Sequence, residues 1–132
     1  MKIISTKVHG ILDYLVGILF LAFPYIAAWD KNAPQSQVLF VLGALTLIYS
    51  IMTRYELGLF RLIPFGIHLM IDFVSGVFLA ASPWLLGFAD EVEVPHLLLG
   101  IFEIAAVMMT RTPATADANL STGYRSDVES RH

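Results

Sequence analysis

Two pairs of residues in this sequence have types and a spacing that can do chemistry. His9 precedes Asp13 by four positions, and His68 precedes Asp72 by four. On a helix that spacing puts both side chains on one face. Gly17 and Gly76 carry each stripe one turn further, and a small residue there lets another helix approach closely. Carboxylates in apolar surroundings are expensive, about 2.5–3.5 kcal/mol each at the centre of a membrane helix. Three acids, Asp13, Asp72 and Glu103, lie in strongly apolar stretches of this chain.

Three readings of these groups stand side by side. In the first, each Asp accepts hydrogen bonds from the His of its own pair, or pairs with Arg54 or Arg111, and the polar layer is a clamp that fixes helix packing. In the second, the acids bind or relay cations or protons and the histidines titrate near neutral pH. In the third, His9, Asp13, His68 and Asp72 supply four nitrogen and oxygen ligands to a divalent metal such as zinc, iron or manganese. No cofactor is required by the first reading.

The elements that must position these groups are four apolar stretches, Val8 to Ala28, Val38 to Met52, Leu62 to Leu86 and Val94 to Met109. The second and fourth are short against the ~20 residues of a usual membrane span, which tilt or burial against longer neighbours accommodates. Pro34 and Pro95 stand where a first helical turn can begin, as Pro64 does for the third helix. Lys2 and Lys7 before an apolar run, with Ala27-Ala28 after it, resemble a signal peptide. His9 and Asp13 interrupt that pattern and the segment has a partner later in the chain, so it reads as a retained helix.

That partner belongs to an internal repeat. His9, Asp13, Gly17 and Pro24 are matched 59 positions later by His68, Asp72, Gly76 and Pro83. Leu42-Gly43 is matched 57 positions later by Leu99-Gly100, and Met52-Thr53-Arg54 by Met109-Thr110-Arg111. Two-helix copies insert the same way up, which makes a parallel repeat about an axis along the membrane normal. Asp13 lies ~9 Å from Lys7 and Glu103 ~12 Å from Arg111 at helical rise. The acids therefore share one layer, completed by Thr46, the counterpart of Glu103. The glycines serve either packing within the bundle or an interface between copies.

Charge orients the bundle. Lys2, Lys7, Arg54, Arg61 and Arg111 flank one end, whereas the other holds Lys31 beside Asp30 and the acidic Asp90, Glu91 and Glu93. The positive-inside rule puts both termini and the central loop in the cytoplasm, with Tyr25, Trp29 and Trp84 at the outer interface and His96 capping the outer start of the fourth helix. Composition agrees with a lipid bilayer as the main partner. Of 132 residues, 57% are hydrophobic and 14% charged, against about 45–50% and 25% in soluble domains. A net charge of −3 argues against nucleic acid. The absence of cysteine excludes disulfides and thiolate chemistry.

The stretch Ser82-Pro83-Trp84-Leu85-Leu86-Gly87-Phe88, preceded by Gly76, resembles the SPW-repeat family of small bacterial membrane proteins. So do His9-Gly10-Ile11-Leu12-Asp13-Tyr14, Thr53-Arg54-Tyr55-Glu56-Leu57-Gly58 and His68-Leu69-Met70-Ile71-Asp72. The resemblance covers roughly the first 110 residues. It implies that the Ser-Pro-Trp motif ends the first of two membrane helices in each repeat, in the bacterial inner membrane, and it supplies no reaction. The first copy has Phe23-Pro24-Tyr25 in its place. Physically, the proline ends or kinks a helix, Trp84 anchors at the headgroup level, and Gly87 permits the following turn.

These observations predict an all-α membrane four-helix bundle of two tandem hairpins. Its transmembrane domain covers residues 1–111, with repeat 1 over 1–58 and repeat 2 over 59–111, followed by a polar, disordered cytoplasmic tail over 112–132. The expected role is structural or accessory, with small cation, proton or metal handling as the alternative. Four short helices enclose little volume, so a transport route requires a homo-oligomer. Nothing favours an enzyme: no glycine-rich phosphate loop, no HExxH and no nucleophile beside a base is present.

Overall fold

The computed structural model describes residues 2–112; the remainder of the expected tail lies outside the described residues. Four helices follow in order: α1 Thr6–Ile26, α2 Pro34–Ile51, α3 Phe65–Leu85 and α4 Val94–Met109. Ser5 caps α1 by accepting from the Val8 N–H. Pro34 and Pro95 fall in the first turns of α2 and α4, where a missing N–H has no cost. Pro64 sits one position earlier than a first-turn residue, as the N-cap of α3.

The helices pack as two hairpins, α1 with α2 and α3 with α4, in a four-helix bundle. Glycine pairs close each hairpin. A Cβ on Gly17 would stand 3.3 Å from the Gly43 carbonyl, and one on Gly100 would stand 2.5 Å from the Gly76 carbonyl. The glycines thus serve packing inside each hairpin, because only bare backbones come this close.

Between hairpins the backbone joins at one end. Ile4 N–H donates to Met109 O and Arg111 N–H to Ile4 O; Ile63 N–H donates to Met52 O and Arg54 N–H to Ile63 O. The three residues of the second set, Ile63, Met52 and Arg54, are the repeat counterparts of Ile4, Met109 and Arg111. These short ladders hold the starts of α1 and α3 beside the ends of α4 and α2, so α1 and α3 run one way and α2 and α4 the other.

At the opposite end the prolines do not stop their helices at once. Pro24 and Pro83 lie inside α1 and α3, which continue to Ile26 and Leu85. Each helix then closes with a residue in the left-handed region, Ala28 at φ 55° and Gly87 at φ 75°. Trp29 N–H returns to Pro24 O, and Phe88 N–H to Pro83 O, the 6→1 bond of a Schellman ending. A buried proline also leaves the carbonyl four residues back without its N–H donor. In α3 that carbonyl belongs to Leu79, and the Ser82 hydroxyl donates to it at 2.7 Å. The serine of Ser-Pro-Trp therefore repairs the bond that its own proline breaks.

Burial is inverted relative to a soluble bundle. The buried set includes His9, Asp13, Thr46, Ser50, Thr53, His68, Asp72, Ser82 and Thr110, beside an apolar cluster of Phe20, Leu39, Leu42 and Leu79. The exposed set includes Leu15, Ile18, Val41, Ile48, Met70, Val74, Leu98 and Ile101. A continuous apolar exterior over a polar interior is what lipid solvation selects. Helices α1, α2 and α3 are each long and apolar enough to cross a membrane, and α4 is a shorter apolar helix of 16 residues.

Candidate functional site

The i, i+4 stripes of α1 and α3 face each other near the starts of both helices. His9 Nε2 lies 2.9 Å from Asp72 Oδ2 and 3.3 Å from Asp13 Oδ1. His68 Nε2 lies 2.8 Å from Asp13 Oδ2 and 3.0 Å from Asp72 Oδ2. Each imidazole thus touches both carboxylates, and its shorter contact is with the aspartate of the other hairpin. The pairing expected within each helix is present, and the packing of α1 on α3 adds the shorter contacts that cross between hairpins. All four residues are buried.

The other ring nitrogens fix the tautomers. His9 Nδ1 is 2.8 Å from Thr110 Oγ1, and His68 Nδ1 is 2.7 Å from Thr53 Oγ1. Each hydroxyl has one proton, which it donates back along its own chain, Thr110 to Ala106 O and Thr53 to Tyr49 O, both at 2.6 Å. The hydroxyl oxygens therefore accept from the imidazoles, and both Nδ1 atoms carry hydrogen. Both Nε2 atoms are left facing the carboxylates. One proton on each Nε2 makes two imidazolium ions against two carboxylates, a cluster of zero net charge, which is the arrangement that burial tolerates.

Sequence reasoning missed Thr53 and Thr110 as members of this site. Their signal was the matched Met-Thr-Arg, and the backbone ladders at Ile63 and Ile4 place each threonine beside the histidine it supports. It also missed Tyr49, whose phenol donates a short hydrogen bond to Asp72 Oδ1. Thr46 reaches the layer through that phenol, at 3.4 Å. The repeat counterpart of Tyr49 is Ala106, so Asp13 has no equivalent donor. In the space left there is a cavity of about 20 Å³, lined by His9, Asp13, Thr46, Asp72, Glu103 and Ala106 among others, room for about one water. Glu103 borders it, and its Oε2 is buried without a hydrogen-bond partner.

Arg54 and Arg111 stand apart. Arg54 Nε donates to Arg61 O and Arg111 Nε to Lys2 O, and every ion pair among the described residues is between a His and an Asp of the cluster. Both arginines follow the threonines, so their side chains leave the bundle where the chain does. Aromatic rings cover the cluster instead. Phe65 stacks on His68 at 5.6 Å between centroids and meets His9 edge-on at 5.8 Å. Tyr55 lies over Phe65, and burial holds its phenol above the usual tyrosine range. Gly10 makes room for it: a Cβ there would stand 2.0 Å from the Tyr55 ring.

The other predicted residues lie at the far end. Ser82, Pro83 and Pro24 are buried, whereas Tyr25 and Trp84 are exposed at 64% and 55% on the lipid-facing exterior. Trp29 is turned inward and stacks on His96, 5.6 Å between centroids. His96 is fully buried and its Nε2 donates to Gln35 O at 2.9 Å. It ties α4 to α2 rather than capping its own helix.

Fold and site together define a membrane four-helix protein of two hairpins joined through a buried His/Asp centre. The SPW repeat domain model matches residues 7–110, and the chain belongs to that family. No curated protein and no solved structure matches it.

Proposed function

We propose that the protein is an accessory protein of the bacterial inner membrane, with both termini in the cytoplasm, and that its His/Asp centre is the clamp that locks its two hairpins. One observation carries the reading: each histidine contacts both carboxylates, and its shorter bond crosses between hairpins. The Lys and Arg residues gathered at the ends that hold the centre support the orientation. The test is on purified Asp13→Asn and Asp72→Asn, by thermal unfolding and by ion flux in proteoliposomes. The clamp predicts loss of thermal stability and no flux to lose. Normal unfolding with loss of a wild-type flux would contradict it.

A second reading, handling of a proton or divalent cation at the same centre, is favoured by the convergence of one ligand atom from each of His9, Asp13, His68 and Asp72 within 4.8 Å of one another. The cavity beside them holds about one water, so passage across the membrane through this site requires more than one copy of the chain.

A further inference from the structure

We infer that His9, Asp13, His68 and Asp72 form a binding site for one divalent transition-metal ion of the zinc, ferrous or manganous class, held by two imidazole Nε2 atoms and two carboxylate oxygens. The inference rests on the second reading above, that the centre handles a cation, and specifies which cation and how.

Geometry carries it. Metal–ligand bonds of 2.0–2.1 Å in a tetrahedron separate neighbouring ligand atoms by about 3.3 Å. His68 Nε2 lies 2.8 Å from Asp13 Oδ2 and 3.0 Å from Asp72 Oδ2, and His9 Nε2 lies 2.9 Å from Asp72 Oδ2; the 3.3 Å contact of His9 is with the other Asp13 oxygen, Oδ1. The four ligand atoms lie within 4.8 Å of one another, so an ion among them draws the wider separations in and moves the His–Asp contacts apart by a few tenths of an ångström. The set draws one histidine and one aspartate from each of two helices.

The surroundings are those of a ligand set. A metal-binding imidazole donates its other N–H to a fixed acceptor, which sets the tautomer and aims the ring. Thr110 and Thr53 are such acceptors, their own protons committed to backbone carbonyls. Tyr49 holds the second oxygen of Asp72 in the same way. Charge also balances: two neutral imidazoles, two carboxylates and one divalent ion sum to zero, as do the two protons that the ion replaces. Imidazole nitrogen favours zinc and ferrous ions over calcium or magnesium, which take oxygen ligands. The cavity lined by Asp13 and Glu103 leaves room for about one water beside the site.

The test uses the full chain purified in detergent and stripped with chelator, then titrated with Co²⁺, Zn²⁺ and Mg²⁺. The expected result is one Co²⁺ per chain with the intense visible bands of a tetrahedral nitrogen and oxygen site, displaced by Zn²⁺ and not by Mg²⁺. Loss of those bands in His68→Gln, and 10–100-fold weaker binding in Thr110→Val, are expected for ligand and support respectively. Absence of Co²⁺ binding by the wild type overturns the inference without reference to any variant, as does a pale octahedral spectrum unchanged by His68→Gln. Proton uptake on acidification by a wild type that binds none of the three metal ions overturns it while leaving proton handling standing. Loss of both would end the second reading as well.

Discussion

His9 Nε2 is 2.9 Å from Asp72 Oδ2, on a helix of the other hairpin, and 3.3 Å from Asp13, one turn along its own helix. The difference turns a familiar i, i+4 pair into a cross-link. Glycine contacts close each hairpin within itself, and the polar centre joins the two at the end where α1 and α3 begin. Near the opposite end His96 makes a second tie, from α4 to the first turn of α2.

The two aspartates are not equivalent in load. Asp72 accepts from both histidines and from Tyr49, whereas Asp13 accepts from the histidines alone. Replacing one partner of a buried ion pair costs about 3–5 kcal/mol. Asp72→Asn is expected to lower the unfolding temperature in detergent more than Asp13→Asn, and the double variant less than the sum of the two. Equal losses would show that Tyr49 adds nothing to Asp72.

Tyr49→Phe removes the hydrogen bond to the Asp72 carboxylate and the longer one to Thr46, and leaves the ring. The expected loss is about 1.5–3 kcal/mol by chemical denaturation. Ala106, its counterpart, borders the cavity. Tyr55→Phe serves as the comparison, since its ring covers the centre without bonding either carboxylate; an equal loss there would point to general packing.

Ser82 and Pro83 act as a unit. Ser82→Ala leaves the Leu79 carbonyl without a donor and is expected to cost about 1 kcal/mol. In a Pro83→Ala background residue 83 regains its N–H and can bond that carbonyl itself, so the serine becomes dispensable. A double-mutant cycle reads the coupling, and additive effects would refute the repair. This gives a reason for serine before proline that composition cannot supply.

Two glycines of similar setting should respond oppositely to alanine. A Cβ on Gly100 would lie 2.4 Å from the Ala80 backbone nitrogen, whereas one on Gly66 would meet nothing within 4 Å. Gly100→Ala is expected to destabilise by about 1–3 kcal/mol through overpacking. Gly66→Ala, in the first turns of α3, is expected to stabilise by about 0.5–1 kcal/mol through helix propensity. Thermal melts of both variants in one detergent check the pair.

The sequence carried the hairpins, the repeat and the buried stripe because each is written in spacing: apolar runs for the helices, offsets of 59 and 57 for the duplication. Which histidine meets which aspartate is set by how α1 lies against α3, and no one-dimensional spacing encodes that. Thr53 and Thr110 were visible only as matched letters, since a threonine past a helix end has many ordinary uses. Tyr49 had no counterpart to mark it, and the repeat that revealed the histidines concealed the asymmetry. The arginines were misplaced for a related reason: a residue adjacent in sequence to a site residue points away when the chain is leaving the helix.

The most direct measurement of the central claim is a pair of double-mutant cycles on unfolding free energy in detergent, one for His9 with Asp72 and one for His9 with Asp13. A clamp between hairpins predicts a coupling of at least about 1 kcal/mol for His9–Asp72, larger than that for His9–Asp13. Coupling near zero for His9–Asp72, or coupling confined to the pair within α1, would contradict it.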